Sequence, residues 1–406
     1  MPELWYRLNS EKRGRFFRCG LACMPSVTNT NHVSIVTGVY ATAHGITGDA
    51  FWSRETRGSM QMDDPSLIEV DTIFSRLNDL PGRVSAALFG KSKLAMLFAG
   101  AQGNSAPSII WGDRQSEPKR GQPMPLPGSD ERTIDQVIRT IAEHRPIYTV
   151  VNLGDVDRFS HAFGPESTQA RSAVTKVDGL LSRLIDFLHG LASWNNTVVI
   201  VTADHGIEPT TAAGAARART VNFEQDLQQR GIRGLAVVTD GGVASAYIEA
   251  GPSPLEELVH EQAELLKVAR AVALSDRGIA EALYRIPNPV DPSPFTVLDA
   301  AHPDWKLSNP RAGELFLVAR KGTVLTRDAN PLGIHGGPAE RAISVAMFGG
   351  YGGLKAWSID DTTVVNAPDL GMTARWLLGL REPRFVSGSP VPHKLCGRVL
   401  KEAFVE

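Results

Sequence analysis

Three groups of acidic and imidazole side chains in this sequence have the types and spacing to bind metal. Asp157-Arg158-Phe159-Ser160-His161 places a carboxylate and an imidazole four residues apart, one turn apart on one helical face, where both can reach a single ion. Asp204-His205 is a second carboxylate and imidazole pair, and His335 sits in Gly333-Ile334-His335-Gly336-Gly337, whose glycines let backbone come close to a ligand. Zinc takes imidazole nitrogen and carboxylate oxygen, and in catalytic sites it keeps a position open for substrate or water. An isolated Asp-x3-His pair, or one histidine in a glycine loop, is ordinarily a capping or packing feature. The ordered set is far more specific, because it follows Met24-Pro25-Ser26-Val27-Thr28-Asn29-Thr30-Asn31-His32-Val33-Ser34-Ile35-Val36-Thr37-Gly38, a segment rich in hydroxyl and amide side chains.

These residues require elements that carry them to one place. Short β-branched runs ending in polar residues read as buried parallel strands that deliver functional groups at their C-terminal edge. The clearest are Ile147 to Leu153 ahead of Asp155 and Asp157, Thr197 to Thr202 ahead of Asp204-His205, Val84 to Phe89 ahead of Lys91, and Leu315 to Ala319. Between them runs helical periodicity, best seen from Thr168 to Leu191, with Val174, Val177, Leu180, Leu181, Leu184, Ile185 and Leu188 on one face. The expected class is therefore α/β, a mostly parallel central sheet with helices on both faces. The interval 206–309 changes composition and carries one strand-like piece (Leu235 to Val238, then Ala244 to Ile248), one long helix (Leu255 to Leu274) and flanking proline-rich connectors. It reads as a small cap inserted into a catalytic domain made of residues 1–205 and 310–406, although ordinary sheet edge would have the same composition. The loop from Pro118 to Pro127 carries no identifiable chemistry.

In motif order the chain resembles the alkaline phosphatase superfamily, in the branch of type I phosphodiesterases and nucleotide pyrophosphatases, and most of all the phosphonoacetate hydrolases. The resemblance runs from about residue 16 to the C-terminus and is closest at Met24 to Gly38, His44-Gly45-Ile46-Thr47-Gly48, Met62-Asp63-Asp64-Pro65 and Lys91-Ser92-Lys93-Leu94. It implies an alkaline phosphatase-like fold and two zinc ions, other divalent metals being alternatives. Asp157, His161 and His335 would bind one ion, and Asp204 and His205 the other, with the catalytic Thr28 reaching the second. It also implies a substrate-binding set of Asp49, Lys91, Lys93, His161 and His335, the two lysines facing a substrate carboxylate. Cleavage of phosphonoacetate to acetate and phosphate through Thr28 is the activity so implied. Two alternatives stay open: a phosphodiesterase or pyrophosphatase of the same branch, suggested by Asp157 to Pro165 and Arg311 to Leu315, and a degenerate member that binds without turnover. Sulfatases of the superfamily need Cys-x-Pro-x-Arg, and here Cys23-Met24-Pro25-Ser26 is followed by Val27, so Cys23 reads as a small buried hydrophobe.

Two positions depart from the pattern. The family's first strand ends in Asp-Gly and its aspartate completes the second metal site, whereas only Glu3 and Glu11 are acidic before Thr28. The first strand is expected to be missing, through a late start or a truncated gene. Asp49 stands where the family has an asparagine that donates to a phosphoryl oxygen, and an ionised carboxylate only accepts. Of the other histidines, His32 and His44 could support the site from behind, and His302 is the reserve ligand.

Acids and bases number 44 and 42, for a formal charge of −2, so no electrostatic footprint points to nucleic acid or an anionic membrane. The expected partner is a small anionic organophosphorus substrate, and a homodimer is the assembly compatible with this reading. No apolar run reaches the roughly 18 residues needed to span a bilayer and no signal-like segment opens the chain, so the expected location is cytoplasmic. Three cysteines, Cys19, Cys23 and Cys396, are too few and too scattered for a disulfide framework.

Overall fold

The β-branched runs become strands, and hydrogen bonding sorts them into separate sheets. The computed structural model describes residues 1–99, 106–114, 128–210, 219–249, 257–326 and 331–405. Ser85–Phe89, buried along its whole length, pairs in parallel with Ile109–Gly112 on one side and Tyr148–Asn152 on the other. A second sheet has the order Ser358–Asn366, Gly14–Leu21, Ala342–Phe348, Val199–Val201. Gly14–Leu21 runs parallel to Ser358–Asn366 and antiparallel to Ala342–Phe348, which is antiparallel to Val199–Val201. The α/β class stands, with Ala342–Phe348 reversing direction inside it.

The chain opens in a helix, Pro2–Ser10, and the strand before Thr28, Gly14–Leu21, has a neighbour on each side. Tyr148–Asn152 and Val199–Val201, the strands that deliver Asp157 and Asp204, each pair on one side only among the described residues. Thr168–His189 joins the two sheets. Its Leu184 packs with Val151 and Leu88, while Leu181 and Ile185 pack with Val199, Val201 and Ala346. Ser167 caps this helix by accepting from Ala170 N–H at 3.1 Å, and Asp178 within it accepts from Glu3 and Leu4 N–H at 3.0 and 2.8 Å. One buried carboxylate thus holds the start of the first helix against the sheet-bridging helix.

The interval after Gly206 contains its own antiparallel sheet, in the order Leu235–Asp240, Val243–Ile248, Leu315–Ala319, Ile279–Tyr284. Gly241-Gly242 makes the two-residue turn of its first hairpin, with φ of +68° at Gly241. Leu315–Ala319, assigned from the sequence to the catalytic domain, hydrogen-bonds into this sheet, and Thr323–Leu325 pairs with Arg219–Val221. The hydrogen bonding therefore carries the unit beyond residue 309, because an apolar strand pairs where its register and buried faces are met. A distinct core of Phe223, Leu266, Ala269, Tyr284, Leu315 and Leu317 lies beneath it. Its helix is His260–Ser275, starting later than expected because residues 257–259 are non-helical up to the extended N-cap Val259; Leu255 and Glu256, like the loop from Pro118 to Pro127, lie outside the described residues. No helix among the described residues is long and apolar enough to cross a membrane.

Candidate active site

Thr28 is the first residue of the helix Thr28–Thr37, which is buried along nearly its whole length although most of its side chains are polar. Such a helix is stable only if its polar groups find partners. Thr30 Oγ1 donates to Ile46 O at 3.1 Å, Ser34 Oγ to Thr30 O at 2.9 Å, and Asn29 Nδ2 to Met62 O at 2.9 Å. Asn31 holds the approach to Thr28: Oδ1 accepts from Cys23 N–H at 2.7 Å, and Nδ2 faces the carbonyls of Val27, Pro25 and Cys23 at 3.1, 3.3 and 3.4 Å. The nucleophile segment is thus fixed by its own sequence. Thr28 Oγ1 is left facing the site at the positive end of the helix.

Three other elements meet it. The helix Asp155–Phe163 begins directly after the Tyr148–Asn152 strand and presents Asp157 and His161 on one face, as their spacing predicts. The loop of His335 is laced to the Thr28 segment: Ser26 N–H donates to Gly336 O at 3.1 Å, Ser26 Oγ to Gly337 O at 2.6 Å, and Gly336 N–H to Ser26 Oγ at 3.2 Å. A side chain on Gly336, φ +114°, would place its Cβ 2.2 Å from Asp240 O, so this close approach requires glycine. Asp204-His205 follows the Val199–Val201 strand.

The histidines share one arrangement. Nδ1 of His161, His205 and His335 lies 2.8, 2.9 and 3.1 Å from the carbonyls of Gly333, Gly206 and Ser26 respectively. Donation from Nδ1 leaves each Nε2 lone pair facing inward, the tautomer a metal requires. Nε2 of His161 and of His335 lie 3.2 and 3.7 Å from Asp157 Oδ1, and the ligand atoms of these three residues all fall within 4.8 Å of one another. Nε2 of His205 lies 3.4 Å from Thr28 Oγ1 and 3.6 Å from Asp204 Oδ2. Asp157 Oδ1 and Asp204 Oδ2 are buried and accept no hydrogen bond. Buried carboxylate oxygens without donors, aimed at imidazole lone pairs, fit divalent cations.

Electrostatics agree with the geometry at Asp157, Asp204 and His335. Burial alone would raise the Asp157 carboxyl, but Lys91 and the imidazoles of His161 and His335 hold it well below the usual range. Asp204 is likewise lowered against its burial by His205, His32 and Lys91. Burial, helped by neighbouring His205, keeps His335 well below the ordinary imidazole value and hence neutral. At His161 burial is outweighed by Asp157, which raises it.

Thr28, Asp49, Lys91, Lys93, Asp157, His161, Asp204, His205 and His335 meet here, but the lysines do not stand free. Lys91 Nζ donates to Thr28 Oγ1 at 3.0 Å and to Asp157 Oδ2 at 2.7 Å. Lys93 Nζ donates to Asp49 Oδ2 at 2.6 Å, while Asp49 Oδ1 accepts from Asn29 N–H at 3.0 Å. His32 supports the site, with Nδ1 2.9 Å from Thr28 O and 3.4 Å from Asp204 Oδ2. His44 is buried against Ser34. His302 is elsewhere: it bonds Glu281 at 2.7 Å and stacks on Trp305, so the reserve ligand does not join the cluster. Cys23 is the buried hydrophobe expected, its thiol pushed up to about 11 by burial. Sequence reasoning missed Asp240, whose Oδ2 accepts from Asp49 N–H at 3.0 Å and whose carboxyl is raised by burial and by Asp49. It also missed Asn31, for which the only signal was an asparagine in an otherwise helical, buried run.

A family model described as type I phosphodiesterase / nucleotide pyrophosphatase matches residues 14–338. An uncharacterized pyrophosphatase/phosphodiesterase of Schizosaccharomyces pombe is 24% identical over 197 residues, 46% of this chain and 37% of its own length. Human ectonucleotide pyrophosphatase/phosphodiesterase family member 1 is 24% identical over 192 residues, 45% of this chain and 19% of its own. The matched stretch thus spans well under half of these relatives. Among solved structures, murine ectonucleotide pyrophosphatase/phosphodiesterase 5, as an inactive variant in complex with AMP, superposes with a TM-score of 0.69 at 19% identity, covering 94% of this chain and 90% of that one. Phosphonoacetate hydrolase from Sinorhizobium meliloti 1021 in complex with phosphonoacetate gives 0.65 at 21% identity, covering 92% and 89%. These likenesses show a shared fold.

Proposed function

This chain belongs to the type I phosphodiesterase / nucleotide pyrophosphatase family, within the alkaline phosphatase superfamily, and from that premise we propose that it is a phosphonoacetate hydrolase with Thr28 as its nucleophile. The family is one of metal-dependent hydrolases acting at phosphorus. The observation that carries the finer reading is Thr28 Oγ1 at a buried helix N-terminus, 3.4 Å from His205 Nε2 and 3.0 Å from Lys91 Nζ, with a second ammonium, Lys93, two residues further on. Two ammonium groups beside the nucleophile suit a small anionic substrate that carries a carboxylate as well as a phosphonate.

Two divalent cations, zinc for this donor set, would be held by Asp157, His161 and His335 and by Asp204 and His205 with Thr28, supplying Lewis-acid charge and a more acidic threonine hydroxyl. The chain's own groups do the rest. Asn29 N–H and the helix N-terminus offer donors to a phosphoryl oxygen. Lys93, once released from Asp49, pairs with the substrate carboxylate. Thr28 gives its proton to water and its oxygen attacks phosphorus; the P–C bond breaks, and its electron pair leaves on the acetate carbon as an enolate that takes a proton from water. Water then attacks the phosphothreonine, Thr28 recovers its hydroxyl, and phosphate departs.

A second reading has its own support. Asp49 neutralises Lys93 in this structure, so the site offers less spare positive charge than a carboxylated phosphonate calls for, and a singly charged phosphodiester fits that balance. Incubation with zinc and phosphonoacetate, assayed for phosphate, alongside bis(p-nitrophenyl) phosphate, decides between them. Phosphate release upholds the first reading, cleavage of the diester alone moves the protein to the second, and silence on both overturns the catalytic assignment.

A further inference from the structure

The two lysines are not equivalent. Lys93 is 32% exposed in its side chain and bonds a carboxylate that is not among the metal-binding residues, whereas Lys91 is 12% exposed and bonds the nucleophile. Lys91 stands at the junction between the fully buried strand Ser85–Phe89 and the helix Ser92–Leu97. That junction is tied down at Gly90, whose N–H donates to Asn152 O at 2.8 Å and whose carbonyl accepts from Arg158. The stem of Lys91 therefore starts from a rigid point, and its ammonium is held between Thr28 Oγ1 and Asp157 Oδ2.

Asp157 divides its oxygens. Oδ1 faces His161 and His335, the metal-binding side, and Oδ2 is taken by Lys91. On the far side of Thr28 the donor set is thinner: Asp204 and His205 are a pair, and among the described residues the group of three close metal-ligating side chains is Asp157, His161 and His335. An ammonium that touches the nucleophile oxygen from a partly dry position supplies fixed positive charge where negative charge appears as Thr28 attacks.

We infer that Lys91 is a catalytic residue acting on the nucleophile, its ammonium bridging Thr28 Oγ1 and Asp157 Oδ2 to orient and stabilise the attacking threonine oxygen, while Lys93 alone is left to meet the substrate's carboxylate. The assignment rests on the reading of Thr28 as nucleophile and revises the equal sharing of the substrate between the two lysines. It makes a demand that carboxylate recognition does not: the contribution of Lys91 is independent of whether the ligand has a carboxylate.

The test compares wild type, Lys91→Met, Lys91→Arg and Lys93→Met, each loaded with zinc and analysed for metal content. Orthovanadate, which has no carboxylate and takes up the nucleophile oxygen in a trigonal bipyramid, is titrated by calorimetry. Turnover is measured on phosphonoacetate and bis(p-nitrophenyl) phosphate. Lys91→Met is expected to bind vanadate at least thirtyfold more weakly and to lower kcat on whichever substrate wild type turns over, with unchanged metal content; Lys91→Arg recovers part of both. Lys93→Met is expected to raise KM for phosphonoacetate and leave vanadate affinity within threefold of wild type. Vanadate affinity equal in Lys91→Met and wild type, or absent from both, overturns the inference, as does a Lys91→Met defect confined to KM for phosphonoacetate. Failure of wild type to turn over either substrate rejects the proposed function by itself, and the vanadate titration still decides the role of Lys91.

Discussion

Lys93 Nζ lies 2.6 Å from Asp49 Oδ2 while Asp49 Oδ1 accepts the Asn29 N–H at 3.0 Å, so a single carboxylate fills both the nearest spare ammonium and the helix N-terminal donor beside Thr28. Asp49 stays ionised there, since Lys93 outweighs its burial and lowers its carboxyl. It occupies donors that an anionic substrate would use. On the proposed function, entry of the substrate would displace it.

Asp49→Asn removes that competing charge and offers a donor amide instead. KM for the anionic substrate is expected to fall about tenfold, ~1.4 kcal/mol, with a smaller change in kcat. Steady-state kinetics on the two proteins check it, and an unchanged or raised KM would show that Asp49 assists binding.

Thr28→Ala keeps the three side chains of the Asp157, His161 and His335 group. Turnover is expected to drop by about a thousandfold or more, as when a nucleophile is removed, while zinc remains bound by mass spectrometry. Turnover close to wild type would take Thr28 out of the mechanism.

Zinc is expected to raise the melting temperature, because a ligand that binds only the folded chain stabilises it by about 2.7 kcal/mol at one hundred times its dissociation constant. His335→Ala removes one of the three grouped ligands and should abolish most of that gain. A zinc-induced shift of equal size in both proteins would place the ion elsewhere.

His44 gives a pH signature separate from the metal. Burial lowers its imidazole from the ordinary value to about 3, so the fold holds it neutral with Ile46 N–H donating to Nδ1 at 3.1 Å. The unfolded chain binds the proton more readily. Its stabilising contribution is therefore complete above about pH 6.5 and is lost as pH falls toward 3, by about 1.4 kcal/mol per pH unit. Chemical denaturation of wild type and His44→Gln at several pH values should show their stability difference shrinking over that range; a constant difference refutes it.

Much of the site was legible because its chemistry is local. The four-residue spacing of Asp157 and His161 becomes one helical face wherever a helix forms, and the apolar runs ahead of Asp157 and Asp204 could hardly be anything but strands delivering them. The glycines around His335 announced close backbone approach, and the structure uses Gly336 that way. Lys91 was visible as a charged residue past a strand end, but its partner was not. Lys91 and Thr28 are far apart in sequence, and only the packing of one strand end against one helix start brings them within 3.0 Å.

The sequence by itself determined the α/β class, the family and the set of residues that could bind metal, since each follows from residue type, periodicity or motif order along the chain. Tertiary structure alone decided which carboxylate each lysine meets, how Asp157 divides its oxygens, that Asn31 fasten the nucleophile loop, and that Leu315–Ala319 join the sheet of Val243–Ile248 rather than that of Val199–Val201. Ion pairs and strand pairing are chosen among many chemically similar partners by long-range geometry and burial, and no local pattern encodes that choice.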